Sequence, residues 1–319
     1  MSRLGIVIQG PSRSDGGSRF IDRNFDCSPA VEATIGLAKQ FFDEIVVSTW
    51  AGHEFANESW PDSVELISSE LPSFGQGNSR KQFLSTAKGI EYLKTRNVDY
   101  CLKVRTDQVL PESAFEHLLE FFSLPEHQSK LLLSDYVANS PFYAGDFVFA
   151  GKLDVVDSFV SSFLTFGAKD LHPSVGHNYV LKYLCATDDL FSDNVNPRVP
   201  MIVQISDPRN FRARSYWSET RQKRFSFLRR EDFSQIFWRG QIMAELVNVD
   251  GFSFQVDNES SVQGTSLTPP PRRSQISRLR AFREIFAVLT QELRMLRTSG
   301  QKNTVWQFLR GLQTGNYSS

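Results

Sequence analysis

Along this chain, short unbroken apolar runs trade places with stretches whose apolar residues recur every three or four positions. Leu4 to Gln9 is apolar without alternation, as expected of a strand buried on both faces. A turn-rich loop with Gly10, Pro11, Asp15, Gly16 and Gly17 follows. Ser28 reads as an N-cap with Pro29 at the first helical position, and the spacing predicts a helix to about Phe42. Strands are predicted over Glu44 to Thr49 and Val64 to Ser68. Gly75 and Gly77 then lead to Asn78 and a helix over Ser79 to about Arg96, with Phe83, Ala87, Ile90 and Leu93 on its buried face. A further strand, Tyr100 to Arg105, ends at Thr106 and Asp107, and Pro111 opens another helix. Lys130 to Val137 and Phe147 to Ala150 read as two more strands.

Strand and helix alternate four times in about the first 125 residues, which implies a parallel sheet with right-handed crossovers. Ligands of such sheets bind beyond the carboxyl ends of the strands. That rule places Gln9 to Arg13, Ser48 to Trp50 and Arg105 to Asp107 at the ligand edge. Beyond Lys152 the pattern is more helical, with Met201 to Ser206 and Phe252 to Val256 as further strands. The expected organisation is a domain over 1–257, with a nucleotide-binding half over about 1–125 and an acceptor half over about 126–257. A linker rich in Ser, Thr and Pro spans 258–275, and a basic helical tail spans 276–319.

The tail changes the charge picture. From Arg272 to Ser319 there are eight arginines and one lysine against two glutamates, a net of +7 in a chain whose total is −1. Its stripe of Leu279, Phe282, Phe286, Leu289, Leu293 and Leu296 suits a peripheral contact with the inner membrane, self-association as a coiled coil, or packing on the main domain; all three stay open. The near-neutral whole is no nucleic-acid binder by bulk electrostatics. The 27 phenylalanines signal a bulky core. Three scattered cysteines, Cys27, Cys101 and Cys185, form no CxxC pair and argue against a secreted disulfide framework. No run approaches the ~20 apolar residues of a membrane span, and Leu4 to Ile8 lacks the flanks of a signal peptide. The expected location is the cytoplasm.

Four segments could carry chemistry. In Lys103-Val104-Arg105-Thr106-Asp107-Gln108 a buried strand delivers a carboxylate to the sheet edge, where Asp107 could hold Mg²⁺ or Mn²⁺ or could cap the turn and pair with Arg105. In Gly75 to Gln82 a glycine-rich loop enters a helix with two cations in its first turn, a setting for phosphate near Asn78 and Lys81 or simply an N-cap. Gln9-Gly10-Pro11-Ser12-Arg13 could hold a base or ribose. Asp135 and Asp146, in Ser134-Asp135-Tyr136 and Gly145-Asp146-Phe147, could each be an acid–base residue or a turn former. GxGxxG and Walker lysine patterns are absent, which disfavours NAD enzymes and P-loop NTPases. No GxSxG elbow supports a hydrolase, and His172 and His177 are badly spaced for a metal pair.

Taken together, Ile6-Val7-Ile8-Gln9-Gly10-Pro11, Ser48-Thr49-Trp50, Asn78 with Gln82, and Lys103 to Gln108 resemble the WavE family of lipopolysaccharide-core synthesis proteins, glycosyltransferases of the GT-A type. A weaker echo follows at Gly145-Asp146-Phe147 with Gly151. The resemblance covers roughly the first half of the chain. It implies an α/β fold with a Rossmann-like GT-A nucleotide-binding sheet, a mixed acceptor region and a helical C-terminal tail. It also implies transfer of a sugar from a nucleotide-sugar donor to a glycan or glycolipid acceptor. Gln9, Gly10, Ser12, Arg13, Thr49, Asn78, Lys81, Gln82 and Arg105 would then meet the donor, Asp107 would hold a divalent cation (Mg or Mn), and Asp146 would be the catalytic base. Two positions depart from the family pattern. Lys81 stands where the family has arginine, and Gly176-His177-Asn178-Tyr179 lacks the acid expected before the tyrosine. The second departure keeps a degenerate nucleotide-sugar-binding scaffold open as an alternative. A nucleotidyltransferase, suggested by Gly16, Gly17 and Arg19, is a third.

Overall fold

The computed structural model describes residues 2–14, 24–56, 60–71, 77–134, 144–165, 179–188 and 211–244. Its frame is a seven-stranded sheet in the order β10-β8-β9-β6-β1-β4-β5. The strands are β1 (Leu4–Gln9), β4 (Glu44–Trp50), β5 (Val64–Ser69), β6 (Tyr100–Arg105), β8 (Leu131–Leu133), β9 (Phe149–Lys152) and β10 (Phe225–Phe227). All neighbours are parallel except β9, which runs against both β6 and β8. Short antiparallel pieces complete the strands. β2 (Arg13–Ser14) pairs β3 (Phe25–Asp26), and β7 (Gln108–Val109) pairs β11 (Phe237–Trp238), which also pairs β12 (Gln241–Ile242).

The strands are apolar on both faces because both faces are covered. Ile6, Ile8, Ile45, Val47, Leu102 and Val104 pack in one buried layer with α1 (Ser28–Ala38) and α3 (Glu112–Ser123). Val7, Val46 and Cys101 point the other way, into a layer with α2 (Gly77–Thr95), α4 (Leu153–Thr165) and α5 (Tyr179–Thr187). The many phenylalanines do build core. Phe83 lies 4.2 Å from Phe163 and 4.8 Å from Tyr179, ring centre to ring centre. Helix α2 runs very close over β1: a Cβ on Gly89 would come within 2.5 Å of Val7 Cγ1. It is also tied to β4 by a buried exchange in which Ser48 Oγ donates to the Ser85 carbonyl (2.7 Å) and Ser85 Oγ donates to the Ser48 carbonyl (2.8 Å). Two more helices, α6 (Phe211–Arg224) and α7 (Arg230–Ser234), flank β10 in sequence.

Three local expectations are corrected. Ser28 is the first helical residue of α1, and Cys27 occupies the cap; Asp26 Oδ1 instead accepts the Ser28 N–H at 3.0 Å. The same helix stops at Ala38, because the chain turns back through Lys39 to Phe41 so that Asp43 can accept the Leu4 N–H. The strand expected to open at Phe147 begins at Phe149. The candidates Met201 to Ser206 and Phe252 to Val256, Asp135, the linker at 258–275 and the basic tail lie outside the described residues. Among the described residues, no helix is long and apolar enough to cross a membrane.

Candidate functional site

The register of the sheet brings the candidate residues to one level. Gln9 at the end of β1 stands beside Arg105 at the end of β6 and beside Ser48 on β4. Just past these ends, β1 is sewn to β6 on one side and to β4 on the other. The Thr106 N–H donates to the Gln9 carbonyl (2.9 Å), the Gly10 N–H to the Ser48 carbonyl (3.1 Å), and Thr106 Oγ1 to the Pro11 carbonyl (3.0 Å). Only glycine fits at position 10. Its φ is +143°, and a Cβ there would lie 2.3 Å from Thr106 Oγ1.

Above this seam lies a cleft of about 260 Å³, near the small end of ligand pockets. Gln9, Gly10, Lys81, Gln82, Arg105 and Asp107, all anticipated from sequence, line it. So do Trp50, His53, Leu71, Thr106 and Arg239. The Oε1 atoms of Gln9 and Gln82 are buried without a hydrogen-bond partner among the described residues, so those residues leave acceptor capacity unmet at each.

Other anticipated residues sit elsewhere. Arg13 is exposed on β2, and Ser12 uses its N–H on the His53 carbonyl (3.1 Å). Thr49 Oγ1 donates to the same carbonyl at 2.8 Å, so Thr49 shapes the wall without lining it. Asn78 belongs to the first turn of α2, but its side chain lies outside the described residues. Asp146 is set behind Arg105: its Oδ1 is 3.6 Å from Arg105 Nη1, and its Oδ2 accepts from the Tyr179 hydroxyl at 3.4 Å. Lys103, fully buried on β6, donates to the Asp146 carbonyl at 2.5 Å. Burial pushes the Lys103 ammonium down to about 7, against the pull of Asp146.

Asp107 is 3% exposed and surrounded by donors. Arg105 grips it with two prongs, Nε to Oδ1 at 2.9 Å and Nη2 to Oδ2 at 2.8 Å. Arg239 Nε donates to Oδ2 at 2.6 Å, and Trp238 Nε1 donates to Oδ2 at 3.3 Å. The Arg239 N–H adds a bond to the Asp107 carbonyl at 3.1 Å. Burial alone would raise the carboxyl's pKa; the two guanidiniums overcome it and hold the value at about 2. The donor set does not fit a divalent cation at this carboxylate. Both oxygens already serve guanidiniums, and among the described residues no three His, Cys, Asp or Glu side chains come together as metal donors.

Arg239 was not anticipated. It arrives on the two-residue turn between β11 and β12, where Arg239 and Gly240 have φ of +47° and +86°. Positive φ at both central positions is the signature of a type I′ hairpin, which favours Asn, Asp or Gly first. The signal available in the sequence was Phe237-Trp238-Arg239-Gly240-Gln241-Ile242, two short strand-like dipeptides about an X-Gly turn.

No family model matches the chain, and no curated protein matches it; the WavE likeness therefore rests on its short segments alone. Solved structures similar in part include a 4-diphosphocytidyl-2C-methyl-D-erythritol synthase from Anaerococcus prevotii. It is 12% identical, with a TM-score of 0.36 over 55% of this chain and 81% of that one. A cytidylyltransferase from Leptospira borgpetersenii is 13% identical, with a TM-score of 0.35 over 60% of this chain and 74% of that one. A second 4-diphosphocytidyl-2C-methyl-D-erythritol synthase is 14% identical, with a TM-score of 0.33 over 50% and 80%. Likenesses of this size assign no chemistry to this chain.

Proposed function

We propose that the cleft receives the diphosphate of a nucleotide-sugar and that the protein is a glycosyltransferase, acting on a glycan or glycolipid acceptor. One observation carries the reading: three cationic side chains, Lys81, Arg105 and Arg239, converge with a single carboxylate on a cleft at the carboxyl edge of a mainly parallel sheet. A leaving nucleoside diphosphate gathers negative charge as the sugar departs, and preorganised cations at that place lower the barrier. Gln9 and Gln82 bring acceptors that no described residue satisfies, suited to N–H or O–H groups of a base or ribose. Asp146 is the candidate base in this reading, held beside Arg105 and Tyr179.

The test is a calorimetric screen of nucleotide-sugars and free nucleoside diphosphates, followed by detection of released diphosphate with a glycan acceptor. Binding and release together support glycosyl transfer, and Asp146→Asn should then bind but not release. Binding without any release favours the scaffold alternative. Pyrophosphate released from a nucleoside triphosphate and a sugar phosphate would make the protein a nucleotidyltransferase. No binding of any nucleotide ends the reading.

A further inference from the structure

A cation approaching Asp107 would find its place taken. Oδ1 receives Arg105 Nε, and Oδ2 receives Arg105 Nη2, Arg239 Nε and the Trp238 indole N–H, at 2.6 to 3.3 Å. To coordinate Oδ2, a divalent ion must displace charge-assisted bonds, and at either oxygen it must stand beside two guanidiniums in a nearly dry setting, where repulsion is weakly screened. Yet the same two arginines line the cleft. Each also lies near the Trp238 ring, Arg105 at 5.9 Å and Arg239 at 5.4 Å from its centre, within cation–π range. Arg239 holds this place from a left-handed backbone conformation that a long side chain rarely adopts. The carboxylate, the indole and the turn thus converge on one result, which is the location of two guanidiniums.

We propose that the cleft neutralises the phosphates of its ligand with the guanidiniums of Arg105 and Arg239, without a divalent cation at Asp107, and that Asp107 is a positioning residue holding both. The inference deepens the reading that the ligand carries a diphosphate and rests on it. Arg105 is steadied from a second side by Asp146, so its fork is oriented before any ligand arrives. Preorganised charge of this kind costs no rearrangement on binding.

The experiment is calorimetry of the full chain with inorganic pyrophosphate and with uridine and cytidine diphosphates. It is run in chelator and across a Mn²⁺ titration, on wild type, Arg239→Gln and Asp107→Asn, with melting temperature as the folding control. Wild-type affinity is expected to be the same in chelator and in Mn²⁺. Arg239→Gln should weaken binding about tenfold or more, the loss of one charge-assisted hydrogen bond. Asp107→Asn separates positioning from plain electrostatics by sign. Removing a negative charge beside an anion site strengthens anion binding if the arginines stay put. If Asp107 positions them, binding weakens instead. Stronger binding by a folded Asp107→Asn variant overturns the positioning role. Should that variant not fold, the Arg239→Gln and metal comparisons still decide: wild-type affinity that requires Mn²⁺, or an unweakened Arg239→Gln, overturns the proposal while leaving the diphosphate reading intact. Absence of binding by every probe overturns both.

Discussion

Arg239 meets Asp107 across 132 residues of sequence, its Nε 2.6 Å from Oδ2. This contact joins the last described hairpin to the end of a central strand, and so closes the cleft. Removing one partner of a buried, hydrogen-bonded ion pair costs about 3 to 5 kcal/mol in general. Because Arg105 stays on Asp107, we expect Arg239→Met to cost near the lower figure, about 3 kcal/mol. Arg239→Gly should cost about 1 kcal/mol less, since glycine accepts the positive φ that strains arginine and methionine alike. Urea denaturation of the two variants checks this. Equal losses would mean that the turn is unstrained.

Acid should act on the same pair. The folded pKa of Asp107, about 2, lies below its ordinary value of 3.8, so the group adds stability that is fully present above about pH 4. That stability is lost as pH falls through the folded value, in a window from about pH 4 to 2. Asp107→Asn should be less stable than wild type near neutrality, and the gap should shrink across that window. Urea midpoints measured from about pH 5 downward decide the point; a constant gap would exclude the linkage.

Lys182 should move stability in the same direction, but in a window at higher pH. Its Nζ is buried without a hydrogen-bond partner among the described residues, 3.9 Å from the Phe163 ring centre. Burial, followed by the charge of Arg80, pushes the ammonium down to about 7 from 10.5. Below pH 7 the folded protein carries the charge at full cost; as pH rises from about 7 to 10.5 the unfolded chain holds more protons, so stability climbs. Lys182→Met should raise the melting temperature at pH 7 and flatten that climb. A Met variant less stable than wild type at neutrality would show that the ammonium has a favourable role.

Gly10→Ala should cost at least about 2 kcal/mol, since both a positive φ and a collision with Thr106 oppose the new methyl group. Thr106→Ala in the same chain removes the collision and leaves the backbone strain. The double variant should therefore recover part of the loss made by Gly10→Ala, beyond what the single costs sum to. Strict additivity in chemical denaturation would mean that the seam opens to accept the methyl.

The sheet was legible in the sequence because fully buried strands leave a signal that needs no partner. Ile6-Val7-Ile8 and Ile45-Val46-Val47 are apolar at every position, and they are covered on both faces. The strand ends at Gln9 and Arg105 followed from the same runs, and with them most of the cleft floor. Asp107 lies just past the end of β6, where the strand pattern predicts it, but one residue type serves two chemistries there. A carboxylate before a turn suits a cation or a guanidinium, and only the arrival of Arg239 shows which partners it has. That arrival depends on a hairpin of two-residue strands, too short for any periodicity to register. The cap at Ser28 is illegible for a similar reason, since serine and aspartate two residues apart offer interchangeable oxygens and the spatial entry of the chain decides between them.

The cleft is assembled from residues 9, 81, 105 to 107 and 239, and this order has a consequence for a chain still on the ribosome. The nascent protein can pair β1, β4, β5 and β6 soon after Arg105 emerges, since all four are then present. Asp107 has Arg105 for company from the start, but the second guanidinium is more than a hundred residues from being made. Through that interval the sheet edge exists with its cationic lining unfinished. A product truncated before the hairpin would keep the central strands and lack the second guanidinium that completes the cleft, so a finished cleft marks translation past residue 239 and not merely the folding of the sheet.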